Sequence, residues 1–147
     1  QSRRNCSSLD VIEDTQLAID SYFSESVAAS EGACYTKVYG ILQVLYVQQD
    51  AVRHLFESLG CKFENPALRR VRDIRNRAVG HPTKMEKKKN LSFHFISRAT
   101  LTQERFQLIS ELEGSPDKYE DVEIRNLIDI QGSEMKRLLF AELLNSL

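Results

Sequence analysis

Apolar residues recur at steps of three and four along much of this chain, which is the spacing of amphipathic helices. One such stretch covers about residues 8–29, with Ser8 as a candidate N-cap, and a second covers about residues 33–59 and stops before Gly60. The second stretch has no charged residue between Val38 and Gln49. A helix that is uncharged on most sides belongs in the core or in a dimer interface, and both alternatives stand.

A third helix is predicted by the signals at its two ends. Asn65 followed by Pro66 combines an N-cap with a proline suited to the first helical turn. The helix should run from Pro66 to about Val79, because Gly80 and Pro82 are stop signals.

The pattern then changes to the alternation that is typical of strands. Residues 91–96 alternate in this way, and residues 105–112 supply the antiparallel partner of a predicted hairpin. His94 lies between two phenylalanines and is expected to face solvent or an edge of the candidate site. Helical spacing returns over about residues 119–147. The sequence therefore predicts one mainly α-helical domain over residues 1–147 with a small β-hairpin insertion.

Composition excludes several classes of protein. A length of 147 residues with 41% apolar and 28% charged residues suits one domain with a real core and excludes a disordered or fibrous chain. The longest nearly apolar stretch, residues 41–47, is far shorter than the ~20 residues of a membrane span. Three cysteines without paired spacing predict reduced thiols and a cytoplasmic protein. No metal-ligand spacing occurs, so no cofactor is expected.

The formal net charge of -1 argues against a nucleic-acid partner only if the charge is evenly spread. Residues 69–89 hold nine basic and two acidic residues, a local charge of +7, so the other 126 residues carry -8. This basic block makes RNA a plausible partner. Its candidate RNA-binding residues are Arg69, Arg72, Arg77, Lys84, Lys87, Lys88 and Lys89. Three aromatic residues are candidates for base stacking, with a core or interface role as the alternative: Phe93, Phe95 and Tyr35.

Arg75 has an unusual position within the third predicted helix. It lies in line with Val71 and Ala78, on the apolar stripe that should face the core. Burying a guanidinium is costly unless it meets an anion. One hypothesis is a groove for an anionic ligand whose polar edge has Arg72, Asn76 and Arg69 on one flank of Arg75. The alternative is an arginine at the core edge that pairs with one of the many carboxylates.

His81 follows Arg75 by six residues and precedes Pro82. Proline disfavours helical geometry in the residue before it, so His81 is expected just beyond the helix with its ring free to turn. In a continuous α-helix Arg75 and His81 would lie on different sides, so their convergence requires a helix break or a second subunit. An Arg that binds phosphate, an Asn that orients groups and a His that exchanges protons are suited to metal-free phosphodiester cleavage.

The segment from Arg72 to Pro82 resembles the signature of the HEPN superfamily, an Arg followed by a polar residue, four to six residues and a His. Arg75, Asn76 and His81 match these three positions. The resemblance implies a HEPN-like antiparallel helical bundle that forms a homodimer with a composite active site, and a metal-independent endoribonuclease. It also implies that Arg75 stabilises the charged phosphorane, that His81 transfers protons or orients the phosphate, and that Asn76 supports the geometry.

The resemblance further implies a toxin–antitoxin, stress-response or phage-defence setting with a candidate antitoxin or regulatory partner. Toxin relatives controlled by a nucleotidyltransferase carry a Tyr two positions after the motif His, where this chain has Thr83. Two alternatives to the nuclease stay open. One is a non-catalytic module that binds RNA or a nucleotide, and the other is an interaction subunit whose basic helix docks on an acidic partner.

Overall fold

The protein is mainly helical, with a small antiparallel sheet inserted before its last helix. The computed structural model describes residues 2–87 and 90–145, and the side chains of residues 6–84 and 91–142. In chain order the elements are α1 (Ser2–Ser21), α2 (Glu31–Ser58), α3 (Pro66–Arg75), a π-helical turn (Asn76–Gly80), β1 (Met85–Lys87), β2 (Asn90–Ile96), a 3₁₀ turn (Arg98–Thr100), β3 (Arg105–Leu112), β4 (Lys118–Glu123) and α4 (Ile124–Asn145).

Helix α2 is the central element of the fold. It packs against α1, α3 and α4, and its buried side chains Val38, Leu42 and Leu45 lie in the main apolar core. Val52 belongs to a second core cluster near the other end of the helix. Packing in the core therefore accounts for one face of the uncharged stretch between Val38 and Gln49.

The helix ends follow local capping signals in two of the predicted helices. The Asn65 side-chain oxygen accepts a hydrogen bond from the backbone N–H of Ala67 at 2.9 Å, with Pro66 in the first turn of α3. Gly60 follows α2 with a φ of 76°, a left-handed conformation that favours glycine. Both predicted boundaries are confirmed.

The predicted bounds of the first helix are wrong at both ends. Helix α1 begins at Ser2, so Ser8 is a buried residue inside the helix and not its N-cap. The helix ends at Ser21 because the segment that follows is held by Gln103. The Tyr22 hydroxyl donates to the Gln103 carbonyl at 2.7 Å, and the Gln103 side chain donates back to the Tyr22 carbonyl at 2.9 Å.

The predicted hairpin is confirmed as β2 and β3, but the sheet is larger than predicted. Four antiparallel strands follow the order β1-β2-β3-β4. Strand β4 occupies residues that the sequence pattern assigned to the last helix, which begins only at Ile124. The strand forms because Val122 fills a core position opposite Phe106 and Glu120 reaches an arginine of the helical layer.

The first of the two alternatives for His94, that it faces solvent, is wrong. His94 is 5% exposed, whereas its neighbours Phe93 and Phe95 point outward. Its Nδ1 lies 2.8 Å from the Ser110 hydroxyl and its Nε2 lies 3.0 Å from the Ser92 hydroxyl. Burial is tolerated because both ring nitrogens have hydrogen-bond partners, which a pattern of apolar residues does not report.

The three cysteines, Cys6, Cys34 and Cys61, are unpaired, in agreement with the prediction of free thiols. Burial is the main cause that raises the pKa of the Cys34 thiol. Among the described helices, none combines the length and apolar character that a membrane crossing requires.

Candidate functional site

The guanidinium of Arg75 lies in a cradle of uncharged groups between α2 and the end of α3. Its Nε and Nη2 donate to the side-chain oxygen of Gln43 at 2.9 and 2.7 Å, and its Nη1 donates to the side-chain oxygen of Asn76 at 3.0 Å. The ring of Tyr46 lies 4.2 Å from the guanidinium carbon. These contacts fix the position of the guanidinium without neutralising its charge.

No carboxylate of the described residues lies within salt-bridge distance of Arg75. The alternative in which this arginine pairs with an acidic residue is therefore not found in the described part of the chain. A guanidinium has five N–H donors, and the three hydrogen bonds to Gln43 and Asn76 leave one donor on each terminal nitrogen. Two free N–H groups on one half-buried cation suit the oxygens of a phosphate.

Gln43 and Tyr46, two of the groups that hold Arg75, belong to one face of α2, which we call the α2 stripe. At 100° per residue its six members fall within a sector of about 80°. They are all exposed or half-buried: Tyr35, Tyr39, Gln43, Tyr46, Asp50 and Arg53. Arg72 joins this surface from α3, with its guanidinium 2.8 Å from Asp50 and 4.1 Å from the Tyr46 ring centre.

A π-helical turn carries the chain from Arg75 to His81. The backbone N–H of His81 donates to the Asn76 carbonyl at 2.7 Å, a bond that spans five residues. Such turns are frequent at functional sites. Gly80 packs on the cradle, since a Cβ atom there would lie 2.8 Å from Nη1 of Arg75. The close approach of this backbone to the guanidinium explains why residue 80 has no side chain.

His81 lies just beyond the π turn, as the following proline predicts, and it is exposed. Within the described residues no hydrogen bond joins its ring to Arg75, Asn76 or any other group. The chain therefore brings Arg75 and Asn76 together, whereas the His81 ring is held by neither of them.

The opposite side of the same helical segment faces the sheet. Arg77 pairs with Asp73 at 2.8 Å and with Glu120 at 2.7 Å, and it reaches the Ser110 hydroxyl at 3.4 Å. Burial alone would lower the pKa of Arg77, but its hydrogen bonds and ion pairs with Glu120 and Asp73 raise it. Arg70 also approaches Glu120, at 3.8 Å. The predicted RNA ligand Arg77 is therefore engaged by two carboxylates.

The remaining candidate RNA-binding residues divide into three groups. Arg69 and Lys84 are exposed and make no ion pair within the described side chains. Arg72 is engaged by Asp50, as above. The side chain of Lys87 and the whole of Lys88 and Lys89 lie outside the described residues. Acidic residues from outside the basic block thus neutralise part of its charge.

Gln43, Tyr46 and Tyr39 were not predicted as site residues. Their signal in the sequence is the spacing of polar and aromatic residues along one side of an otherwise apolar helix. That spacing shows that they share a face, but it does not show which element the face meets.

Comparisons with protein-family models, curated proteins and solved structures find no match to this chain. Over the described residues, no three His, Cys, Asp or Glu side chains are grouped in a way that could hold a metal ion. The functional assignment consequently depends on the geometry around Arg75 and on the resemblance of the motif.

Proposed function

We propose that this protein is a metal-independent endoribonuclease of the HEPN type, acting in a toxin–antitoxin, stress-response or phage-defence setting. One observation carries the proposal. The Arg75 guanidinium is fixed by uncharged groups and keeps both its charge and one N–H on each terminal nitrogen. An arginine held in this way is suited to bind two oxygens of a phosphodiester in a bidentate manner.

In the proposed reaction the 2′-oxygen of a ribose attacks the adjacent phosphorus. The P–O5′ bond breaks, the 2′-hydroxyl loses its proton, and the leaving 5′-oxygen gains one, which gives a cyclic phosphate and a 5′-hydroxyl. Arg75 stabilises the charge that builds on the phosphorane, and Asn76 holds Arg75 in place. His81 transfers protons, a role for which an imidazole is suited.

We further propose a HEPN-like bundle that acts as a homodimer, with the two motifs facing one cleft. Two observations support a composite site. His81 is exposed, and no described group of its own chain orients its ring. A catalytic base is usually oriented by a third group, so this arrangement needs a further contributor. A second copy placed across the cleft supplies one.

The same observation on His81 favours a second candidate function, an RNA- or nucleotide-binding module without turnover. In that case Arg75 binds the phosphate as described, but no residue is placed to move a proton.

Incubation of the purified protein with RNA in EDTA tests the nuclease. We expect cleavage by the parent, with a cyclic phosphate on one product, and a loss of roughly 100-fold or more for Arg75→Ala and His81→Ala. Two matched controls should cleave like the parent: Arg98→Ala at the exposed 3₁₀ turn and His54→Ala on an exposed position of α2.

The outcomes separate the candidates. RNA binding that is lost in Arg75→Ala, without any cyclic-phosphate product from the parent, supports the binding module. Cleavage by His81→Ala at the rate of the parent, or dependence of cleavage on added metal, contradicts the nuclease.

A further inference from the structure

The N-terminal part of the α2 stripe is aromatic and open to solvent. Tyr39 is 38% exposed, and its ring centre lies 5.7 Å from that of Tyr35, which is half-buried behind it. The two rings are tilted by 59°, an arrangement in which one ring supports the other. A Cβ atom at the neighbouring exposed Gly40 would meet nothing within 4 Å, so the helix surface at residue 40 is open.

This aromatic surface lies next to the Arg75 cradle. Tyr39 and Gln43 are four residues apart on α2 and are therefore neighbours on the same face, about 6 Å apart along the helix axis. Gln43 in turn contacts Arg75 at 2.7 Å. Successive nucleotides of a stacked strand rise by about 3.4 Å, so a strand with one phosphate at Arg75 has bases within reach of Tyr39.

The charge around Tyr39 suits a polyanion. Helix α2 has no charged residue between Val38 and Gln49. A tyrosine phenol is uncharged at neutral pH. Burial, followed by the proximity of Tyr35, raises the pKa of the Tyr39 phenol further. No acidic side chain belongs to this stretch, and Gln43 on the same face contacts the cationic Arg75.

A second exposed aromatic surface lacks this property. The outer face of the sheet carries Phe95 and Tyr119, on either side of Ile109. The same face also carries two acidic residues. Glu111 comes two residues after Ile109 on β3, and Asp121 comes two residues after Tyr119 on β4. Carboxylates beside the rings repel phosphates, so the sheet is a poor surface for nucleic acid although it is aromatic.

We infer that Tyr39, supported by Tyr35, is a stacking subsite for an unpaired nucleobase next to the phosphate held by Arg75. The inference rests on the proposed function and gives its substrate class, which is single-stranded RNA. A base inside a duplex has both faces covered by its neighbours, whereas an unpaired base presents a free face to an aromatic ring.

Binding of a short 2′-O-methyl RNA tests the subsite, because this strand has no free 2′-hydroxyl and is not cleaved. Fluorescence anisotropy would compare the single strand, its duplex and a single strand with abasic positions. We expect Tyr39→Leu to bind the single strand about 5- to 50-fold more weakly than the parent. Its affinity for the duplex and for the abasic strand should be that of the parent.

Two variants and one comparison on the parent serve as controls. Tyr39→Phe keeps the ring and should bind like the parent, and Tyr119→Leu removes an exposed ring on the sheet and should also bind like the parent. The parent should prefer the normal single strand to the abasic strand, a measurement that needs no variant to fold.

The results distinguish failure of the subsite from failure of the proposed function. Full binding by Tyr39→Leu with lost binding by Arg75→Ala overturns the subsite alone, as does equal weakening toward single strand and duplex. Full binding by Arg75→Ala overturns the phosphate site and the proposed function with it.

Discussion

Arg75 and Arg77 are two residues apart and lie in opposite environments. Arg77 faces the sheet, its side chain is 15% exposed, and two carboxylates bind it. Arg75 faces α2, where two amide oxygens and an aromatic ring bind it and no described carboxylate does. The Arg77 guanidinium joins two layers of the fold, whereas the Arg75 guanidinium is held in position and is still available to an anion.

The difference shows that charge counted along the chain does not identify the charge that a ligand meets. The basic block has a formal charge of +7, yet Asp50 and Glu120 from outside the block engage three of its arginines. Arg75 is distinguished by its acceptors. A side chain that is held by neutral groups retains an electrostatic field that an ion pair would cancel at short range.

The largest expected effect is on stability. Arg77→Ala leaves Glu120 and Asp73 without their shared cation and removes a contact of Ser110. Because Glu120 is only partly buried, we expect a loss of about 2 kcal/mol, below the full cost for a buried pair. Arg75→Ala should cost less, about 1 kcal/mol, because water can replace the lost donors at the half-buried Gln43 and Asn76. Urea unfolding measures both values. Equal losses of unfolding free energy in the two variants would contradict the difference between the environments of Arg77 and Arg75.

A smaller effect is expected from a substitution that gives Arg75 a carboxylate partner, as Arg77 already has. Gln43→Glu keeps the shape of the side chain that Arg75 contacts at 2.7 Å but places a carboxylate there. We expect RNA affinity to fall at least about tenfold, since the new charge pairs with Arg75 and repels phosphate. Stability should be unchanged or raised.

The control for this change is Gln43→Met, which removes the acceptor without adding charge. It should weaken RNA binding less than Gln43→Glu does, as measured by anisotropy. Parent-like binding by Gln43→Glu would show that Arg75 is not the phosphate ligand.

The smallest expected effect concerns the position of the guanidinium. In Gly80→Ala the added methyl group would lie 2.8 Å from Nη1 of Arg75, so the side chain must shift. We expect RNA affinity to fall about two- to fivefold with little change in unfolding, because the tip of an arginine moves easily. Gly132→Ala in α4 has open space around its Cβ and should leave binding unaltered. Identical affinities for the two variants would show that the exact placement of Arg75 is unimportant.

Local signals predicted most of the fold. The Asn65 cap, the glycine after α2 and the β2–β3 pairing all depend on residues close together in sequence, and all are confirmed. Strand β4 and the burial of His94 were not predicted. Strand β4 depends on Glu120 meeting the helical layer, and His94 depends on hydroxyls that include one from the neighbouring strand.

The sequence by itself determined the order of the main helices and hairpin, the basic block and the grouping of Arg75, Asn76 and His81 near one helix end. Only the tertiary structure decided that, among the described side chains, carboxylates engage Arg77 and not Arg75. Gln43 lies 32 residues from Arg75, and Glu120 lies 43 residues from Arg77. A helical period gives the direction of each guanidinium, but the acceptor that it meets comes from a distant element, and that acceptor decides whether its charge is cancelled or retained.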